Sequence, residues 1–221
     1  MDTTALLLTL RLAATTTVFL LVISLPLARW IVFGRSRLRP MVEAIAALPL
    51  VLPPTVLGFY LLVGMGPRTG IGRFLTHLLG HPLAFSFSGL VVGSIIYSLP
   101  FAVQPIVAGL RAVDPRLAES AAVLGANEGK IFSHILLPLA SSSVLAAAVL
   151  TFAHTVGEFG VVLMIGGNIP GVTRTLSISI FDQVQNFEYA AANRTALFLI
   201  GIAVCALTLV YWRRNAAVTV G

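Results

Sequence analysis

His154 and Glu158 stand four residues apart inside an otherwise apolar run, T-F-A-H-T-V-G-E-F-G. Ionisable side chains in such a run call for a functional or a pairing reason. On one helix the spacing puts both on the same face. Three chemistries use that arrangement: a proton relay, a metal or hydrolytic centre, and a hydrogen-bonded pair that shapes a gate. No H-E-x-x-H pattern accompanies them, and His77, His81 and His134 fall in segments expected to be loops, which weakens the enzymatic reading. A relay needs more carboxylates within apolar runs than this chain carries. The expectation is that Glu158 pairs with His154 or with another helix.

Two further sets of residues could act. Pro49, Pro53 and Pro54 interrupt the run L-P-L-V-L-P-P-T-V-L-G, and Pro100 and Pro105 interrupt the next. Each proline removes a backbone donor and crowds the preceding turn. The breaks are either fixed kinks that help packing or flexible points lining a water-filled path. Arg68, Arg73 and Arg174 lie between apolar runs. Their permanently charged planar forks suit oxyanions, and they equally suit anchoring at a membrane interface or pairing with acidic residues of a partner.

The elements that carry these residues are set by composition. The chain has 221 residues, 57% hydrophobic and 10% charged, against about 25% charged in soluble domains. It reads as an all-α integral membrane protein, one domain over residues 1–221. A crossing needs roughly 20 mostly apolar residues, and five runs qualify: about 5–30, 44–66, 85–110, 138–166 and 191–212. They are apolar on all faces, without the alternation of barrel strands. The first run lacks a basic start and a cleavage site, so a retained helix is expected. The lone Cys205 forms no internal disulfide. A net charge of +6 comes without a basic arm or aromatic-basic interleaving, so no nucleic-acid partner is expected. Lys and Arg flank the runs unevenly. Nine of the 14, at Arg29, Arg35, Arg37, Arg39, Arg111, Arg116, Lys130, Arg213 and Arg214, fall on one side. By the positive-inside rule that side is cytoplasmic, the N-terminus outside and the C-terminus inside.

The nine-residue side includes a polar segment, 111–138. Asp114-Pro115 is a helix start, an N-cap acceptor followed by proline where no donor is missed. Leu117, Ala121 and Leu124 repeat at i, i+4 and i+7. Gly125 supplies a left-handed stop. A second short helix is expected over about 127–136, with Ile131, Phe132 and Ile135 on one face.

This segment resembles a known family. The pattern E-A-A-x3-G-x9-I-x-L-P of the membrane subunits of bacterial ABC importers appears as Glu119-Ser120-Ala121, Gly125 and Ile135-Leu136-Leu137-Pro138, all spacings kept. Ser120 replaces the usual second alanine and is also small. Three further stretches are similar to molybdate-type permeases more than to the longer sulfate permeases: residues 48–63, G-P-R-T-G-I-G at 66–72, and G-E-F-G at 157–160 followed by N-I-P-G-V-T-R-T at 168–175. The resemblance implies the type I importer permease fold, five spans with a cytoplasmic coupling helix. Glu119, Ser120, Ala121, Gly125, Ile135, Leu137 and Pro138 would couple the chain to an ATPase, with Glu119 and Gly125 transmitting its motion. No G-x-x-x-x-G-K-[ST] loop is present, so ATP and magnesium would bind the partner and no cofactor this chain. The implied assembly is a homodimer in the bilayer of the inner membrane, with two ATPase copies and one periplasmic oxyanion-binding protein. Arg68, Arg73 and Arg174 would face that protein, and Pro53, Pro54, His154 and Glu158 the pathway or gate. An ionised Glu158 lining an anion path would repel its substrate, which again favours pairing. The same machinery would serve tungstate, sulfate or thiosulfate. A stand-alone ion-coupled carrier needs no docking segment.

Overall fold

The computed structural model describes residues 2–218; residue 1 and residues 219–221, the end of the tail, lie outside the described residues, as do the side chains of Arg213 and Arg214. Every element assigned to them is helical.

Helix α1 (Thr3–Phe33) starts where Asp2 accepts hydrogen bonds from the backbone N–H groups of Thr4 and Ala5, both at 3.0 Å. Helix α2 (Arg39–Ala47) leads through a 3-10 turn (Leu48–Leu50) to α3 (Pro54–Met65). A short helix, α4 (Gly70–Leu79), precedes the central α5 (Phe87–Arg111). The polar segment forms α6 (Pro115–Val123) and α7 (Glu128–Ile131), then a π-helical stretch (Phe132–Leu136) and α8 (Leu137–Leu139). Helices α9 (Ser141–Gly157), α10 (Gly160–Gly166), α11 (Leu176–Gln185) and α12 (Tyr189–Val218) complete the order.

Helices α1, α5 and α9 pack on one another and form the core. Helices α1 and α5 run parallel: Arg11 stacks over Phe87 at one end, and Ile31 and Leu110 share one buried cluster at the other. Helix α9 runs antiparallel to both, with Ser98 beside Thr155 and Val107 in one cluster with Ala140. Helix α3 packs on α10, and α12 lies against α9 and α11.

Among the described residues three helices, α1, α5 and α12, are long and apolar enough to cross a membrane. The number rises to five if each of two bent pairs counts as one span. The run expected over 44–66 is one of these: α2 and its turn meet α3 at 109°. Alone, the 12 residues of α3 reach about 18 Å, short of a core about 30 Å thick. The run expected over 138–166 is also broken. Pro138 lies in α8, before a 69° bend into α9, and a second interruption separates α9 from α10 at Glu158 and Phe159. By contrast, α5 continues through Pro100 and Pro105. Its burial at the centre of the bundle holds the helix together where two donors are missing.

Close packing relies on glycine at α5. A Cβ on Gly109 would stand 2.3 Å from Ser143 Cβ on α9, and one on Gly93 would stand 2.5 Å from Ile165 Cδ1 on α10. Gly109→Val is expected to destabilise the chain by about 1–3 kcal/mol through overpacking, read as a lower melting temperature in detergent. Unchanged melting would contradict the α5–α9 contact.

Candidate functional site

The polar segment is built from local rules. Asp114 caps α6 by accepting from Arg116 N at 2.9 Å. Gly125 has φ +85°, and its N–H reaches Ala122 O while Ala126 N reaches Ala121 O, both at 3.0 Å. This is a complete Schellman stop, which favours glycine because an L side chain is strained at that φ. Asn127 then caps α7 through Lys130 N at 2.8 Å. Ala118, Ala121 and Ala126 pack against the core beside buried Ile131 and Leu136. The stripe expected from Leu117, Ala121 and Leu124 does not face inward as a unit. Leu117 is exposed, and Val123 and Leu124 are 88% and 87% exposed at the tip. The small alanines lie closer to the bundle, which leaves the large side chains in solvent. Glu119 and Ser120 are exposed, Ile135 and Leu137 are half-buried, and Pro138 is exposed.

Bonds tie this segment to the ends of α1, α2 and α5. Arg111 forms a two-pronged pair with Glu43, at 3.0 and 2.8 Å. Arg29 lies over the Phe132 ring and 3.7 Å from Glu128. Arg39 Nη1 donates to the carbonyls of Ile31 and Val32. Three of the basic residues expected on one side, Arg29, Arg39 and Arg111, therefore gather at one end of the bundle.

At mid-bundle the two broken runs meet. A Cβ on Gly160 would lie 2.7 Å from Pro54 Cβ, and one on Gly58 would lie 2.8 Å from Met164 Cβ, so α3 reaches α10 only because both glycines are bare. Pro53 is exposed and Pro54 half-buried at the break in the first run. Glu158 sits at the break in the second, with an extended backbone (φ −65°, ψ 133°). It therefore does not continue the helical face of His154, and the expected pair does not form. His154 Nδ1 instead bonds Ser98 Oγ at 2.9 Å, and its ring stacks on Phe101 with centroids 3.9 Å apart. Ser98 also contacts Thr155 Oγ1 at 3.2 Å. The Glu158 side chain is 3% exposed. Ser94 Oγ is the hydroxyl beside it, yet neither that hydroxyl nor either carboxylate oxygen makes a well-formed hydrogen bond. The Glu158 carbonyl, freed by the break, accepts from Ser177 Oγ on α11.

At the opposite end, the stretch 67–84 expected as a loop contains α4, capped by Thr69 through Gly72 N at 2.9 Å. It carries His77 and Arg73; Arg68 and Arg73 are exposed and make no ion pair among the described residues. Arg174 is engaged within the chain: Nε donates to Asn168 Oδ1 at 2.8 Å, and Nη2 lies 3.4 Å from Asp182. Asn168 Nδ2 donates to both Asp182 oxygens at 2.9 Å. Phe181 lies on α11, whose N-terminus is capped by Thr175. Among the described residues no group of three or more His, Cys, Asp or Glu could hold a metal.

Ser98, Ser94 and Ser177 escape sequence reasoning because the residues they lie beside are far along the chain. The glycines flanking Glu158 were the available signal of a break.

Comparison with known proteins fits this architecture. The chain is 51% identical over 215 residues to the molybdenum transport system permease protein ModB of Azotobacter vinelandii, covering 97% of this chain and 95% of that one. It is 36% identical over 175 residues to ModB of Escherichia coli strain K12, covering 79% and 76%. Its fold matches a bacterial ABC transporter involved in the import of the acidic polysaccharide alginate, with a TM-score of 0.74 at 22% identity over 96% of this chain and 77% of that one. The family described as binding-protein-dependent transport system inner membrane component matches residues 21–213, and the chain belongs to that family.

Proposed function

We propose that this chain is the membrane-spanning permease of an ATP-driven importer for molybdate. Its capped segment, Asp114 to Pro138, is read as the coupling element for a separate ATPase. The observation that carries the coupling role is the exposure of Val123 and Leu124 beside the Gly125 stop. Apolar side chains displayed at the tip of a rigid, doubly capped turn gain from burial in a partner groove. The anion rests on the molybdenum permease relatives, which span nearly the whole chain.

In the proposed assembly two copies of the chain enclose the path on a two-fold axis. Two ATPase subunits dock below and carry ATP and magnesium. A periplasmic binding protein docks above, near Arg68 and Arg73 on α4. The N-terminus faces outward and the C-terminus the cytoplasm. Closure of the ATPases on ATP moves both coupling segments and, through α7 to α9, turns the path from inward-open to outward-open; hydrolysis resets it. Glu119 is placed at the ATPase and Gly125 keeps the turn. The breaks at Pro53–Pro54 and at Glu158 lie against each other through Gly160, and this juncture is where a gate would move.

Two outcomes follow. In proteoliposomes holding the permease, its ATPase and the binding protein, molybdate uptake is expected to be displaced by tungstate and spared by excess sulfate; sulfate competing as strongly as molybdate would move the substrate class. Glu158→Gln keeps the side-chain shape and removes the ionisable group at a buried position where, among the described residues, the carboxyl makes no well-formed hydrogen bond. Uptake is expected to stay within about twofold of wild type. A loss of about tenfold or more with an intact assembly would give the Glu158 carboxyl a direct role.

A further inference from the structure

We infer that the cleft between the C-terminal end of α1 and the π-helical stretch holds the phosphate headgroup of an anionic phospholipid from the cytoplasmic leaflet. The side assigned to it rests on the orientation proposed above. The cleft has a volume of about 510 Å³ and is lined by Arg29, Trp30, Phe33, Arg35 and, across from them, Glu128 and Phe132, among others.

Depth is the first argument. Helix α1 has 31 residues, a length of about 46 Å, against a hydrocarbon core about 30 Å thick. At least one end therefore emerges at headgroup level, and the basic and aromatic residues of its last turns mark that end as one that does. Trp30 and Phe33, 36% and 45% exposed, lie in those turns, where aromatic side chains favour the interface. The Trp30 indole N–H has no hydrogen-bond partner among the described residues.

Charge is the second. The carbonyls at the end of α1 are already served by Arg39, through Ile31 and Val32. Arg29 and Arg35 are thus not consumed in capping the helix. Neither donates a hydrogen bond to another described residue: Arg29 is held in place by the Phe132 ring and by Glu128 at 3.7 Å, beyond hydrogen-bond length. Two guanidinium groups against one carboxylate leave the lining cationic. Their forks match phosphate oxygens bidentately, and basic pockets between helices on this side of a membrane recognise anionic headgroups. A zwitterionic lipid brings an ammonium next to its phosphate, and the two arginines oppose it. The exposed faces of Trp30 and Phe33 give the first acyl carbons an apolar contact. A lipid in this cleft would bridge the end of α1 to the segment that precedes α9, and so couple lipid composition to the coupling element.

The test is native mass spectrometry of the purified permease with its ATPase, titrated with phosphatidylglycerol or phosphatidylcholine. Phosphatidylglycerol is expected to bind more tightly, and Arg35→Gln to weaken it by about tenfold, the equivalent of one charge-assisted contact. Arg35 is exposed with no partner among the described residues, so the change should leave melting unaltered. Arg37→Gln, exposed and not among the cleft-lining residues, should leave binding unaltered. Inorganic phosphate should not displace the lipid. Equal binding of both lipids, full retention in Arg29→Gln/Arg35→Gln, or displacement by inorganic phosphate would each overturn the proposal. So would loss of the lipid on adding the ATPase to permease alone, since the cleft would then belong to that protein. Binding is read without transport, so a failure of ATP-driven uptake would leave it standing.

Discussion

Interrupted helices survive at membrane depth only where the protein itself satisfies or shelters the backbone freed at each break. This chain places its two breaks together. Pro54 lies against Gly160, and Gly58 against Met164, so close that neither glycine accepts a side chain without movement. The Glu158 carbonyl is taken by Ser177 of α11. Phe159 meets Phe181 of the same helix, with ring centroids 5.2 Å apart. Thus α11, at the end of the bundle opposite the polar segment, is bonded directly to the interruption. The continuous helices α1 and α5 supply a fixed wall behind it. A permease needs both properties, a rigid frame and a sheltered discontinuity that can move as a unit.

The other end of the bundle is organised by charge. Arg39 serves the end of α1, Arg111 joins α5 to α2, and Arg29 joins α1 to the polar segment. These contacts orient α7 and α8, which meet α9 through the 69° bend at Ala140. A displacement at Gly125 therefore has a packed route through α7 and α8 to α9 and, along its 17 residues, to the break beyond it. The route is a matter of contiguity; coupling energy along it is what the mutants measure.

Legibility in the sequence followed the range of the interactions. The cap of Asp114, the Gly125 stop and the overall helical class rest on neighbours within a few residues, and each is present. The family pattern sits on that same local geometry. His154 and Glu158 were misread as one helical face because spacing assumes a continuous helix, and the break sits at Glu158 itself. His154 instead finds Ser98, 56 residues away, a partner that only packing reveals. Arg174 is held by Asn168 and Asp182 through a turn with left-handed residues at 167 and 168. Prolines misled in the other direction: two in α5 leave it unbroken, since burial on all sides outweighs the missing donors.

The central claim is that the Asp114–Pro138 segment is the docking element for an ATPase, and the most direct measurement is ATPase retention by a permease altered only at its tip. Val123→Asp/Leu124→Asp places two charges on side chains that touch solvent and not the core. This variant is expected to purify and melt like wild type yet to lose the co-purifying ATPase. A variant that retained the ATPase as wild type does, and stimulated its hydrolysis equally, would contradict the claim.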